Sequence, residues 1–333
     1  MRVKKSPSRP PPHCGVPMDS RRGHARGSFA ASPLSGAAGP ATAQALADLD
    51  GDGDIDVLIG GASGIITYLN DGRGNLVPQA APFGSANPVA IALASVTASG
   101  GTDAIVATAA GDLQVWSNSG SGTFTLASTV ANRLHPRALA VGDLDSDGDL
   151  DIFAAGTSGN AVYLNDGSGH FTAPSSTFAA VGSPAGVSVV LGDVNQDGSL
   201  DVLAAHRSTT DSSTRTVLWL NRGNGIFDEK FADLPGADRV EIADLTGDGL
   251  PDLVTSRELG PTQVFKNLGS GNFQALGIEL GGGTATLATG DVDGDGSADL
   301  VLTNAVGQLG TWTGSSLELE ADQPPLSFGN RAE

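Results

Sequence analysis

The chain carries a single cysteine, Cys14, in 333 residues. That excludes an intrachain disulfide and a cysteine-ligated zinc site. Positive charge is scarce: 18 Lys and Arg stand against 37 Asp and Glu, for a formal net charge of −19. So acidic a surface repels phosphate backbones and argues against a nucleic-acid partner. No stretch approaches the roughly 18–20 apolar residues of a membrane span. Glycine is abundant instead, with 47 residues, and favours many tight turns over long helices. The length suggests two or three domains, although large all-β folds run longer as one unit.

The few cations are unevenly placed. Residues 1–26 hold seven of them (Arg2, Lys4, Lys5, Arg9, Arg21, Arg22 and Arg26) and one acid, Asp19. Residues 28–333 therefore hold 11 cations and 36 acids, a net charge of −25. The head, residues 1–27, also contains Pro10, Pro11 and Pro12 and little apolar surface, and is expected to be disordered. It lacks the apolar stretch of a secretory signal as written. It reads as an unstructured leader or as the product of a misplaced start, Met18 being one alternative start; a basic arm for an anionic partner is the competing reading. Residues 323–333 read as a tail.

Between them, one nine-residue segment recurs. Asp48-Leu-Asp50-Gly-Asp52-Gly53-Asp54-Ile-Asp56 returns as Asp143-Leu-Asp145-Ser-Asp147-Gly148-Asp149-Leu-Asp151. It returns again from Asp193 to Asp201, from Asp244 to Asp252 and from Asp291 to Asp299. A sixth copy, Ser95 to Asp103, is eroded: Ser95, Thr97 and Ser99 replace its acids. The copies start 47 to 51 residues apart. A second motif, Asn-x-Gly-x-Gly-x-Phe, keeps step at Asn118–Phe124, Asn165–Phe171, Asn221–Phe227 and Asn267–Phe273, and nearly so at Asn70–Leu76. The last repeat has only Thr313-Gly314-Ser-Ser-Leu317.

Each repeat reads as four short strands, with Gly and Asn punctuating apolar runs. No segment sustains a 3.6-residue period. Four strands in about 45 residues is the blade of a β-propeller. The expected fold is all-β: one propeller over residues 28–322 with six four-stranded blades, or seven if the N-terminus is truncated.

The Asp-x-Asp-x-Asp-Gly-x-x-Asp loops resemble the calcium loops of FG-GAP/VCBS repeats, which build the propeller of integrin α subunits and many bacterial secreted proteins. A fungal propeller lectin family is similar. The resemblance covers nearly all of residues 28–322. The chain departs from it in the eroded second loop, in the missing signal peptide, and in having six repeats where integrin propellers have seven blades.

The ligand chemistry fits calcium. Each loop gathers three to five carboxylates in nine residues, and calcium takes six to eight oxygens in irregular geometry. Positions 1, 3 and 5 offer side-chain oxygens, and the Gly at position 6 permits the turn. Position 7 is expected to ligate through its carbonyl, which fits its variation among Asp54, Asp149, Ser199, Leu250 and Ser297. Position 9 resembles the family's closing carboxylate. The expected metal residues are thus Asp48, Asp50, Asp52, Asp54 and Asp56; Asp143, Asp145, Asp147, Asp149 and Asp151; Asp193, Asn195, Asp197, Ser199 and Asp201; Asp244, Thr246, Asp248, Leu250 and Asp252; and Asp291, Asp293, Asp295, Ser297 and Asp299. Transition metals would want His or Cys, and magnesium a tighter octahedron. Plain solvated acidic turns are the alternative, and five copies of one ligand pattern argue against it. Loops 1, 3 and 6 keep four acids at positions 1, 3, 5 and 9 and are expected to bind more tightly than loops 4 and 5. The eroded loop is expected to hold no tight ion. At about 2 mM free calcium and a Kd of about 0.1 mM, each site would stabilise the fold by roughly 1.8 kcal/mol. The ions read as structural, and such weak sites imply an extracellular or cell-surface setting.

Three further expectations follow. Gly27-Ser28-Phe29 copies the start of a fourth strand and is expected to complete blade 6 beside Leu309–Thr313; Ser316–Ala321 is the competing segment. An aromatic recurs two residues before the third-strand Asn or its equivalent: Tyr68, Trp116, Tyr163, Trp219, Phe265 and Trp312. It is expected to pack blade on blade, with sugar stacking as the alternative. The end of the propeller opposite the acidic loops collects Arg133, His135, Arg137, His206, Arg207, Arg215 and Arg257. The integrin resemblance places partner binding on that face. The histidines are few (His13, His24, His135, His170 and His206) and no nucleophile elbow is evident. The sequence therefore reads as a non-enzymatic, calcium-binding scaffold for extracellular binding or adhesion, its partner a protein or a glycan. A carbohydrate-binding lectin is the alternative, and a propeller-based polysaccharide lyase a third reading.

Overall fold

The computed structural model describes residues 40–79, 81–131, 134–172, 176–178, 184–208, 213–230, 234–258, 260–292, 294–304 and 309–312. Every described residue belongs to one unit of the chain, Leu34–Glu333. The head, the tail and both proposed ring-closing segments, Gly27–Phe29 and Ser316–Ala321, lie outside the described residues.

The fold is a β-propeller of six blades in a ring, with no helix among the described residues. Blade 1 comprises β1 (Ala43–Ala47), β2 (Asp56–Gly61), β3 (Gly64–Asn70) and β4 (Leu76–Pro78). Blade 2 comprises β5 (Ala90–Ala94), β6 (Asp103–Ala107), β7 (Leu113–Asn118) and β8 (Phe124–Val130). Blade 3 follows with β9 (Pro136–Gly142), β10 (Asp151–Gly156), β11 (Gly159–Tyr163) and β12 (Ser176–Phe178). Blade 4 holds β13 (Pro184–Gly192), β14 (Asp201–Ser208), β15 (Thr214–Asn221) and β16 (Phe227–Lys230). Blade 5 holds β17 (Arg239–Ala243), β18 (Asp252–Ser256), β19 (Pro261–Asn267) and β20 (Phe273–Gly282). Blade 6 shows three strands among the described residues, β21 (Thr284–Gly290), β22 (Asp299–Asn304) and β23 (Leu309–Trp312). Within each blade, consecutive strands pair antiparallel in chain order.

The acidic loops join the first and second strands, and the glycine turns join the third and fourth, so both lie at one end of the propeller. The second strand lies between two neighbouring blades and is apolar on both faces, as a doubly covered strand must be. Every residue of Asp151–Gly156 is buried. Alternate residues serve opposite seams: Ile152 and Ala154 pack toward blade 2, Phe153 and Ala155 toward blade 4. Five apolar clusters fill the five seams from blade 1/2 to blade 5/6. In each of the first four, the Phe of the following blade's glycine turn packs near the residue at position 2 of the acidic loop, Phe124 with Leu49 and Phe227 with Leu144 being examples. No helix among the described residues is long and apolar enough to cross a membrane.

Candidate metal centres and the clasps between blades

The loop backbone is set by glycine at position 6. Gly53, Gly100, Gly148, Gly198, Gly249 and Gly296 all have φ between 83° and 95°, a region that excludes most side chains. Outside the eroded loop, position 4 is left-handed as well, and there Ser146 (φ 65°) and Gln196 (φ 62°) carry side chains. The carboxylate at position 1 caps the turn. Asp48 accepts from the N–H groups of Gly51 and Gly53 at 2.7 and 3.0 Å, and Asp143 from Ser146 and Gly148 at 2.7 and 3.1 Å. Position 5 accepts from the N–H of position 7, as in Asp147 with Asp149 at 2.9 Å.

In loops 1 and 3 the acids converge. Carboxylate oxygens of Asp48, Asp50 and Asp52 lie within 4.8 Å of one another, as do those of Asp143, Asp145 and Asp151. Oδ1 of Asp145 is buried and has no hydrogen-bond donor. Burial, and then the neighbouring Asp147, push the Asp145 carboxyl above the usual range; burial and Asp52 do the same to Asp50. A buried anionic oxygen without a donor, set among other carboxylates, is what a hard cation would satisfy. The donor set is all oxygen, so it fits calcium.

The remaining loops differ. Loop 2 closes on itself: Thr97 Oγ1 donates to Ser99 Oγ at 2.8 Å, and Ser99 Oγ lies 2.9 Å from Asp103 Oδ1. Hydroxyls there occupy the acceptors that an ion would use. In loop 4, Asn195 Nδ2 donates to Asp197 Oδ2 at 2.9 Å. In loop 5 the ammonium of Lys266 sits 2.9 Å from Asp248 and holds that carboxyl below the usual range. Loop 6 has Asp291 accepting from Gly294 and Gly296 at 2.7 and 3.0 Å; Asp293 lies outside the described residues. Asp193 and Asp244 cap their turns in the same way, accepting from Gly198 N at 2.9 Å and Gly249 N at 2.8 Å, and the N–H groups of Ser199, Leu250 and Ser297 donate to Asp197, Asp248 and Asp295 at 2.9, 3.0 and 2.7 Å. At position 7, Asp54, Asp149 and Ser199 lean on Gly72, Gly167 and Gly223 of the adjacent turn, where a Cβ would meet their oxygens at 2.6–3.0 Å.

Position 9 has a second task. Asp56, Asp103, Asp151, Asp201, Asp252 and Asp299 are all fully buried. One oxygen accepts the N–H of position 2, from Leu49 N at 2.8 Å in loop 1 to Val292 N at 2.7 Å in loop 6. The other accepts the N–H of the third-strand Asn in blades 1 to 5, at 2.7–2.9 Å. Burial pushes Asp151 and Asp201 up to about 6.

The third-strand Asn is the functional residue that a ligand search of the sequence passes over. Its Nδ2 reaches into the preceding blade. Asn118 donates to Leu49 O at 2.7 Å, Asn165 to Val96 O at 3.0 Å, Asn221 to Leu144 O at 2.8 Å and Asn267 to Val194 O at 3.0 Å. The second turn glycine adds a backbone bond to the same carbonyl, as Gly122 N does to Leu49 O at 2.9 Å and Gly225 N to Leu144 O at 2.8 Å. The accepting residue is always position 2 of an acidic loop. The signal in the sequence is the Asn-x-Gly-x-Gly-x-Phe motif itself.

The opposite face departs from expectation. His206 is 1% exposed, its ring packs edge-on against Trp219 at 5.9 Å, and neither ring nitrogen has a partner. Burial, then Arg215, bring its pKa down to about 4. It is a core residue and offers nothing to a ligand. Arg207 pairs with Glu258 at 2.7 Å and Asp238 at 3.5 Å, and Arg215 with Glu229 at 2.9 Å. Acids the sequence reading overlooked thus neutralise part of the basic patch. His135, Arg137 and Arg257 remain exposed, and Arg133 lies outside the described residues. Trp116, Tyr163, Trp219, Phe265 and Trp312 pack in the seams between blades, and Tyr68, Tyr163 and Trp219 are at most 2% exposed, which withholds their faces from sugar stacking.

A family model described as FG-GAP-like repeat matches residues 96–154, 143–204, 193–255 and 244–302. No curated protein matches the chain. Among solved structures, a lectin of Agrocybe aegerita that recognises non-reducing terminal N-acetylglucosamine is 22% identical, with 82% of this chain and 80% of that chain covered and a TM-score of 0.58. BBS1N in complex with ARL6DN is 14% identical, with 83% and 80% covered and a TM-score of 0.57. These likenesses show the fold alone.

Proposed function

The chain belongs to the FG-GAP-like repeat family, and on that premise we propose that it is a calcium-stabilised propeller that serves as an extracellular or cell-surface binding and adhesion scaffold. The observation that carries the calcium reading is the convergence of carboxylates in loops 1 and 3, with Asp145 Oδ1 buried and lacking a donor. Asp48, Asp50 and Asp52, and Asp143, Asp145 and Asp151, would hold the ions; the bound ion supplies charge neutralisation and cross-linking of the loop. The chain's own residues do the rest. Position 1 caps the turn, position 9 anchors the loop to the third strand, and the Asn clasp joins that loop to the next blade. No catalytic step is assigned to any residue.

Location follows from affinity. Extracellular calcium modules work at roughly 10⁻⁴–10⁻³ M, a range met outside cells. Counting bound calcium by equilibrium dialysis tests the reading. Two or more ions, lost on Asp50→Asn or Asp145→Asn one at a time, are expected; no bound calcium at about 2 mM would refute it. Partner class is the second question. The lectin of similar fold motivates a glycan array, and the BBS1N complex a protein-interaction screen, both with the calcium-loaded chain. Sugar binding that persists across defined glycans would favour the lectin reading over protein adhesion. Exposed Arg137 and Arg257 mark the face to vary first.

A further inference from the structure

The seam between blades 5 and 6 is built differently from the four before it. Gly314, two residues after Trp312, stands where Asn118, Asn165, Asn221 and Asn267 stand two residues after their seam aromatics, and it has no amide to offer Leu245. Leu245 holds the place that Leu49 and Leu144 hold beside a turn Phe, and it borders a cavity walled also by Val264, Leu280, Leu300 and Trp312. The first strand of blade 5 then sets a carboxylate into this seam. Three residues before the acidic loop the other blades have Ala45, Ala92, Ala140, Val190 and Ala288; blade 5 has Glu241.

Glu241 pairs across the β17–β18 ladder with Val254, which belongs to the apolar cluster of the 5/6 seam. Paired residues share a face of the sheet. Its chain neighbours Val240 and Ile242 pack into the seam with blade 4 instead. Glu241 is therefore aimed at blade 6, where it is half-buried. Blade 6 meets it with Leu287 and Thr289 of β21, whose partners Leu302 and Leu300 lie in the same cluster; neither titrates. On the same face of blade 5 the other charged groups are Arg239, which is exposed, and Asp252, whose carboxylate already accepts from the N–H groups of Leu245, Thr246 and Asn267. The hydroxyl of Ser256, across from Arg239, is buried and has no partner. Among the described residues no hydrogen bond or ion pair holds the Glu241 carboxylate. A charge there faces apolar side chains, which costs far more than a neutral carboxyl does.

We propose that Glu241 is a proton switch on the docking of blade 6: neutral, it lets blades 5 and 6 close, and charged, it parts them so that water reaches the carboxylate. Its titration agrees with that geometry. Burial pushes the carboxyl up from an ordinary 4.5 to about 7, with Arg239 pulling the other way. The docked blade thus favours the proton. Stabilisation is complete below the ordinary value of 4.5 and is lost as pH rises toward 7, by a factor of about 300 in the docking equilibrium. Any partner contact that spans blades 5 and 6 is thereby favoured in mildly acidic surroundings. The inference does not depend on the calcium reading.

Hydrogen exchange of β21 and β22, read by mass spectrometry at about pH 5.5 and 8.5 with calcium held at about 2 mM and corrected for the intrinsic rate, tests it. Protection of these strands in the unmodified protein falls about thirtyfold between the two pH values. Glu241→Gln and Glu241→Ala, the latter restoring the residue of four other blades, lose that fall and stay protected at the higher pH. β6 of blade 2 behaves alike in all three proteins. Protection of blade 6 that is independent of pH in the unmodified protein overturns the switch. An equal fall in both variants also overturns it, because another group then carries the proton. So does a blade 6 that is unprotected at both pH values in every variant, since it never docks.

Discussion

The side-chain amide of Asn118 donates to the carbonyl of Leu49 at 2.7 Å, and so ties blade 2 to the acidic loop of blade 1 across 69 residues of chain. The same amide bonds Thr102 O at 3.2 Å, and its Oδ1 accepts from Gly120 N at 3.0 Å. Ser121 N donates to the same oxygen at 3.2 Å, so Asn118→Ala removes four hydrogen bonds to buried or half-buried backbone groups. A loss of about 2–4 kcal/mol is expected in urea unfolding. Asn70→Ala, measured without calcium, should cost less than about 1 kcal/mol, because its amide is exposed and crosses no seam. Equal losses would contradict the clasp.

Asp103 separates anchoring from metal binding. Its Oδ2 accepts from Val96 N and Thr97 N at 3.0 and 2.7 Å, and its Oδ1 from Asn118 N and Ser99 Oγ at 2.9 Å each. Asp103→Ala should destabilise by about 2–4 kcal/mol, equally in EDTA and in calcium. A loss seen only in calcium would show that the eroded loop holds an ion after all.

Lys266 competes for loop 5. Its ammonium, 2.9 Å from Asp248, occupies charge that an ion would otherwise use. Both side chains are partly exposed, so solvent screens the pair. Lys266→Met should tighten calcium at that loop by about tenfold, seen as a shift of the weakest class of sites in calorimetric titration. An unchanged isotherm would mean that the lysine turns aside at no cost.

How much of this was legible follows from where the information sits. Repeat spacing and the two motifs specify blades and loops, because each blade is a local unit whose hairpins depend on nearby residues. Gly53 and its equivalents were readable as turn formers because the left-handed backbone needs them. The Asn118–Leu49 clasp was not, since a bond between blades has no local signature; only the motif's recurrence hinted at it. His206 was expected on the end opposite the acidic loops, but β14 runs on to Ser208, and sequence alone could not show that the ring turns in against Trp219. Lys266 escaped for a similar reason: it belongs to the third strand, 18 residues from the carboxylate it meets.

His206 also sets a pH dependence. Its folded pKa, about 4, lies below its ordinary value of 6.5. As pH falls from about 6.5 toward 4, the unfolded chain takes up a proton that the folded chain refuses, and stability drops. The full effect is roughly 3 kcal/mol. His206→Leu should remove this part of the acid loss and, by replacing two unpartnered buried nitrogens with carbon, leave the protein at least as stable at pH 7. Urea unfolding at pH 7 and 4.5 for both proteins, compared as a difference, isolates the histidine from the carboxylates. Parallel losses in the two would contradict the assignment.

The central claim is that the acidic loops are calcium sites that hold the propeller together. Thermal melting of the full chain in excess EDTA, in about 2 mM calcium and in equal magnesium tests it most directly. The account expects calcium alone to raise Tm by many degrees, with the rise reduced by Asp145→Asn. Identical melts in all three would show that these loops are turns and no more, and would remove the calcium-dependent scaffold with them.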